Sequence, residues 1–187
     1  GGRLNLDFNP NNRLSFSTSL SFSGDHDDRI ENDGSDKGII TDAVGDSPMI
    51  PIRDAAGEFT GPPDLEYPNP VALATLNDVR ARTNTLLGNL EARLRVTDRL
   101  LFTSRFGLDN VNLREDQFES RLVTGTYASS SDGVAKSGYT QANRYVIDNF
   151  ATLSPNLGER SELTITGGNS LEFNRSEFNF IRGEGFS

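Results

Sequence analysis

The chain has 187 residues, a net charge of −9, no cysteine and no tryptophan. The missing cysteines exclude a disulfide framework and a thiolate metal centre. The acidic balance argues against a nucleic-acid partner, because phosphate binding requires a basic surface. Hydrophobic residues make up only 34% of the chain, low for a soluble globular domain, so order must come from patterning rather than bulk.

The charge is concentrated. Asp25–Glu66 holds twelve acidic residues against the three basic ones Arg29, Lys37 and Arg53, and the rest of the chain is balanced. No apolar run approaches the ~20 residues of a transmembrane helix. The opening "GGRLNLDF" has no apolar signal-peptide region. It begins inside a strand pattern, so the chain is expected to be a piece of a longer polypeptide.

Six segments alternate apolar and polar residues with the period of a β-strand. The first covers about 3–8, with Leu4, Leu6 and Phe8 on one face. The second covers about 12–24, where Leu14, Phe16, Thr18, Leu20 and Phe22 alternate with Ser15, Ser17, Ser19, Ser21 and Ser23. The third covers about 82–96, with Leu86, Gly88, Leu90, Ala92, Leu94 and Val96 opposite Asn89, Glu91, Arg93 and Arg95. The fourth covers about 100–113, led by Phe102, Ser104, Phe106 and Leu108. The fifth covers about 143–154, and the sixth about 160–173, with Leu163, Ile165, Gly167, Leu171 and Phe173 on one face.

Strands in soluble proteins usually run ~5–6 residues, whereas tilted strands that cross an outer membrane need roughly 9–11. The connections sort as well. "NPNN", "TDR" and "PNLGE" are short, and they alternate with long loops at about 25–81 and 114–142. A transmembrane barrel sorts its connections this way, with tight periplasmic turns and long outer loops. The expected fold class is therefore all-β: an antiparallel portion of a transmembrane β-barrel with about six long strands.

Within the first long loop, "GIITDAV" (Gly38–Val44) suggests a helical turn and "IRDAAGEF" (Ile52–Phe59) a small hairpin. Gly61–Pro70 is proline-rich and reads as extended coil. "YASSSDGVAKSGYT" (Tyr127–Thr140), in the second loop, is small and polar and reads as mobile.

Candidate chemistry is sparse. His26, the single histidine, sits in "GDHDDR". A catalytic triad would use such a residue, but a solvated loop histidine is the plainer reading. Asp25, Asp27, Asp28, Asn32, Asp33 and Asp36 offer oxygen ligands for calcium, without the spacing of an EF-hand. A hydrated, self-repelling loop is the plainer reading of them. Gly167-Gly168 marks a bulge or a crowded strand position rather than a phosphate cradle. Phe59, Tyr67, Tyr127 and Tyr139 lie in the long loops, where they either meet a ligand or partner or pack the loops themselves. No nucleophile with its base is recognisable, so no catalytic, cofactor or metal residues are assigned.

Three passages resemble the SusC/RagA family of TonB-linked outer-membrane transporters. "GRLNLDFNPNNRLSFSTSLSFS" (Gly2–Ser23) is similar to the family's early barrel hairpin. "PIRDAAGEF", followed by "YPNPVALA" (Tyr67–Ala74), is similar to its first long outer loop. "NFATLSPNLGERSELTITGGNS" (Asn149–Ser170) is similar to a later hairpin. The resemblance implies a barrel of about 22 strands, energy-dependent import of oligosaccharides or peptides, and outer-membrane lipid as surroundings. Its implied partners are a SusD-like surface lipoprotein and the TonB complex. In that setting the glycosylation-type triplet Asn174–Ser176 has no role. The family's plug and TonB box have no counterpart in these residues, and Phe must supply the interfacial rings usually given by Trp and Tyr. A passive porin-type barrel and a soluble all-β binding module are the alternative readings.

Overall fold

A computed structural model describes residues 1–30, 38–61, 67–158 and 161–186. Six strands form one antiparallel sheet in simple sequence order: β1 (Gly2–Asn11), β2 (Leu14–Arg29), β3 (Asp78–Thr97), β4 (Leu100–Glu119), β5 (Val134–Leu153) and β6 (Ile165–Glu184). β1 and β6 are its edges. Three short helices lie in the connections: α1 (Ile39–Gly45), α2 (Pro70–Leu76) and α3 (Tyr127–Ser130). The all-β class expected from the alternation is thus the class observed.

The first hairpin shows why alternation fixes register. Leu4 pairs with Leu20, Leu6 with Thr18 and Phe8 with Phe16, so one face of the ladder is apolar. Asn5 opposite Ser19 and Asp7 opposite Ser17 make the other face polar. A one-residue slip would exchange the faces. The Phe8 and Phe16 rings stack with centroids 6.4 Å apart. The turn is closed by the Asn11 side chain, whose Oδ1 accepts from the N–H groups of Arg13 and Leu14, each at 2.9 Å. Pro10, which lacks a ladder donor, sits on an edge strand, where that loss is tolerated.

The chain divides into two compact units. Unit 1 comprises Gly1–Asp25, Thr83–Asn112 and Thr140–Glu177. Unit 2 comprises His26–Arg82, Leu113–Tyr139 and Phe178–Ser187. Unit 2 has a small core in which Ala72, Leu73 and Val123 are buried and Ile39, Phe59 and Leu76 pack against them. Unit 1 has none: its buried residues among those described are Glu91 and Thr103, and every apolar side chain reaches the surface.

The strands extend past the ranges that hydrophobic alternation marks. β4 continues to Glu119 and β5 begins at Val134. The loop expected over 114–142 therefore narrows to residues 120–133, and α3 occupies part of the stretch read as mobile. The added ladder is held by polar pairs: Lys136 with Glu119, the Ser137 hydroxyl on Asp116 at 2.7 Å, and Arg29 on Glu115 at 3.1 Å. Phe118 and Val134 are apolar in this stretch but form no alternating run, so no apolar period announces the strand. Likewise β2 runs on to Arg29 and β3 starts at Asp78.

The sixth strand, expected over 160–173, occupies Ile165–Glu184 instead. Leu163 prolongs the apolar alternation into a connection that carries an isolated Asn156–Glu162 bridge. Beyond Phe173 the apolar residues change parity. Leu171 and Phe173 are odd, whereas Phe178 and Phe180 are even and stack on each other at 6.4 Å. Glu159 and Arg160 lie outside the described residues.

The end of the proline-rich stretch is a helix start, where coil was expected. Asn69 caps α2, accepting at Oδ1 from Val71 N–H (3.0 Å) and Ala72 N–H (3.2 Å). Pro70 follows at a first-turn position, where its missing N–H is not needed.

Candidate functional site

The polar face of unit 1 is where chemistry collects. Arg3, Asn5, Ser19, Ser21, Asn89, Asp109 and Arg144 line a groove of about 600 Å³ on that face. They come from β1 through β5, one or two per strand, because alternation sends every second residue to the same side. Arg144 is held by Glu172 of β6, 3.0 Å away. One carboxylate oxygen of Asp109 is buried without a hydrogen bond among the described residues. The Thr18 hydroxyl donates to the Asn89 carbonyl at 2.9 Å and ties β2 to β3.

Nearer the short turns, Glu91 is buried between two arginines. Arg93 Nε lies 2.5 Å from one carboxylate oxygen, and Arg105 binds the other. Arg105 also lies over the Phe150 ring, with its guanidinium carbon 5.1 Å from the centroid. Phe150 in turn fills the space above Gly168. A Cβ there would stand 2.5 Å from Phe150 Cβ and 2.3 Å from the Asn149 carbonyl oxygen. Gly168 is thus the crowded position of the glycine pair, and Gly167 has nothing within 4 Å.

On the opposite face, Gly88 lies between Leu20 and Leu108 side chains, and Phe106 stacks on Tyr145 at 6.4 Å. Its polar exceptions satisfy each other: the Ser104 hydroxyl donates to Asn149 Oδ1 at 2.8 Å.

The sequence candidates fall as follows. His26 is half exposed on β2, with Nε2 3.4 Å from Asp28. Asp28 also faces Arg80 at 3.8 Å, whereas Asp27 meets Arg29 at 3.6 Å. Neighbouring strand positions point to opposite faces, which separates these carboxylates. No group of three or more metal-ligating side chains converges among the described residues. Asn32, Asp33 and Asp36 of the acidic cluster lie outside them. Three of the loop aromatics are engaged locally. Arg53 covers Phe59 at 3.9 Å, Tyr67 lies against Gly45, and the Tyr127 hydroxyl donates to Glu184 at 3.1 Å.

Asp116, in unit 2, accepts from the Ser137 hydroxyl at 2.7 Å and from Arg114 Nε at 2.9 Å. The serine bond first, then the Arg114 and Arg82 charges, hold its carboxyl below the usual carboxylate range against the opposing effect of burial.

No family profile and no curated protein matches the chain. Solved structures do. A chain of the RagAB peptide transporter aligns over 98% of this chain with a TM-score of 0.73 at 15% identity. The RagAB peptide importer aligns in its closed-closed state with a TM-score of 0.72 at 17% identity, and in its open-open state with 0.73 at 15%. This chain spans 21% of each of those chains. The six strands therefore share the fold of the matching segment of the RagAB transporter, in agreement at the level of fold with the resemblance carried by the motifs.

Proposed function

We propose that this chain is part of the wall of an outer-membrane β-barrel, in a TonB-linked transporter that imports oligosaccharides or peptides. The observation that carries the reading is the surface of unit 1, which buries no apolar side chain among the described residues yet displays a continuous apolar face. Leu4, Leu6, Phe8 and Phe173 are each 52–62% exposed. A soluble monomer rarely leaves an apolar patch larger than a few hundred Å² in water.

The height of that face fits a bilayer. On β2 the apolar alternation runs from Leu14 to Phe22, nine residues. At about 3.3 Å per residue and a tilt of about 40°, this spans about 23 Å, close to the ~25 Å apolar band of outer-membrane barrels. Leu and Phe face lipid, and the serines, asparagines and arginines face a wet interior. The short turns then lie on the periplasmic side, and the two long connections lie outside.

Barrel closure supplies what the sheet lacks. β1 and β6 carry unpaired backbone groups, and in hydrocarbon each such group costs several kcal/mol. Further strands on both edges remove that cost. A SusD-like lipoprotein outside, supported by the likeness to RagAB, and the TonB complex inside are the partners that the resemblance brings. A passive porin would share the wall but not the plug or the TonB dependence.

Fractionation of the cells that make the protein tests the reading. The protein should sediment with the outer membrane and resist extraction by urea and alkaline carbonate. Recovery in a soluble fraction would overturn it.

A further inference from the structure

The register of the sheet carries each face unbroken along its strands. Between β2 and β3, Leu20 lies against Gly88, Gly24 against Asn84, and Asp28 faces Arg80, so each step of four on one strand is matched by four on the other. Between β4 and β5, the pairs Ser104–Asn149, Asn110–Asn143 and Asp116–Ser137 keep steps of six in the same way. No bulge exchanges the faces between these pairs. Arg82 and Arg80 therefore continue the row of Leu90 and Leu86, and Phe118 continues that of Phe106 and Leu108. Arg82 stands four positions beyond Leu86 and Phe118 ten beyond Leu108, about 13–33 Å of strand past the apolar positions.

Arg80, Arg82 and Phe118 line a cleft of about 390 Å³ in unit 2. Ile181 and Phe186 complete its apolar lining. The Phe118 and Phe186 rings meet edge to face with centroids 6.4 Å apart, and they stay 39% and 44% exposed. Phe186 is fixed by its N–H, which donates to the Asp132 carbonyl at 2.7 Å. Asp78 and Asp116 balance the two arginines, and Lys136, also on the cleft, is answered by Glu119. Arg80 is held by Asp78 at 2.7 Å and Asp116 by the Ser137 hydroxyl, also at 2.7 Å. Arg82 is exposed and makes no ion pair among the described residues, so its donors are open to a ligand.

An aromatic face attracts the weakly positive C–H groups of a sugar ring. Guanidinium and carboxylate groups present paired donors and paired acceptors to neighbouring hydroxyls. Exposed rings beside balanced charge thus suit a neutral saccharide. A phosphate would be repelled by Asp78 and Asp116, and an acyl chain would strip water from four charged groups. On the barrel reading this face turns away from the interior, beyond the hydrocarbon, where the sugars of the outer leaflet's glycolipid stand against the wall.

We propose that this cleft docks a neutral saccharide unit of the outer-leaflet glycolipid against the outward face of the sheet. The inference rests on the barrel reading for the statement that this face is the outward one.

The test uses the full-length protein in the outer membrane of the cells that make it. A photoreactive benzoylphenylalanine replaces Ile181, which lines the cleft, or His26, which lies outside it on the outward row of β2. Irradiation should give a glycolipid adduct at Ile181, seen as a carbohydrate-staining band whose added mass contains hexose units. Arg82→Ala, and Phe118→Ala where that variant assembles, should each lower this yield about fivefold and leave the yield at His26 unchanged. Cells whose glycolipid keeps its acyl chains but lacks its outer sugars should give no adduct at Ile181. No sugar-bearing adduct, a protein adduct in its place, a parallel fall at His26, or a yield indifferent to Arg82→Ala or to loss of the sugars would each overturn the proposal. A probe at Leu20 reports separately on the wall. Lipid captured at Leu20 with no sugar at Ile181 leaves the wall standing and removes the docking. Sugar at Ile181 with no lipid at Leu20 does the reverse.

Discussion

Phe150 of β5 occupies the space that any side chain on Gly168 of β6 would need: a Cβ on Gly168 would stand 2.5 Å from Phe150 Cβ. The adjacent Gly167 meets nothing within 4 Å. Gly168→Ala should therefore destabilise the β5–β6 pair by about 1–3 kcal/mol, the usual cost of overpacking. Gly167→Ala should be close to neutral. Urea unfolding of the two variants in detergent or lipid, followed by fluorescence, separates them. Equal effects would mean that the crowding above Gly168 has no energetic weight.

Arg105 links that packing to charge, since it binds Glu91 and covers Phe150. Arg105→Ala should cost about 1–2 kcal/mol, reduced from the value for a fully buried pair because Arg105 is partly exposed and Arg93 stays on Glu91. In a Glu91→Gln background the same change should cost clearly less. A double-mutant cycle on unfolding midpoints measures the coupling.

Asn69 holds the β2–β3 connection together. Its Nδ2 donates to the carbonyls of Ile52 (2.9 Å) and Thr60 (3.2 Å) while Oδ1 caps α2. Asn69→Ala removes both functions and should loosen the loop by about 2 kcal/mol. Hydrogen exchange should rise over residues 51–61 and 67–77, with the strands of unit 1 unchanged. Unaltered protection in the loop would contradict the role given to Asn69.

The sequence was legible where one face of a strand is apolar and the other polar. Strict alternation from Leu14 to Ser23 marked the strand and its two faces, and Leu4, Leu6 and Phe8 marked the neighbouring strand, whose register the structure supplies. Legibility failed beyond Leu113 and Phe173. There the apolar residues are isolated or change sides, and the ladder includes pairs such as Lys136–Glu119 that no periodicity predicts. The groove around Asp109 was legible only in part. Asn89, Glu91, Arg93 and Arg95 could be placed on a common face, but which residues of β1, β4 and β5 join them depends on cross-strand register. The Asn69 cap lay in a stretch whose prolines read as coil, although an Asn-Pro pair at a helix start is a recognisable signal.

Asp116 gives the end of the β4–β5 pair nearest α3 a pH dependence. Its folded pKa lies below the ordinary value of about 3.9, because Ser137, Arg114 and Arg82 favour the carboxylate. The unfolded chain therefore binds the proton more readily. The stabilisation is fully present above about pH 4 and is lost as pH falls through the lower folded value. Hydrogen exchange at residues 114–119 and 134–139, corrected for intrinsic rates, should show protection falling on acidification below about pH 4. Asp116→Asn should flatten that response, and Ser137→Ala should shift it to higher pH. A response unchanged in Asp116→Asn would assign it to another group.

The facing of β2 is the centre of the account, and cysteine substitution at Ser17 and Leu20 tests it most directly. These 187 residues contain no native cysteine, so within them each label reports one position. In the protein within its own membrane, Leu20→Cys should react with a lipid-soluble maleimide and resist a charged, water-soluble one, while Ser17→Cys should show the opposite preference. Equal reaction of the two positions with the water-soluble reagent would contradict the membrane wall.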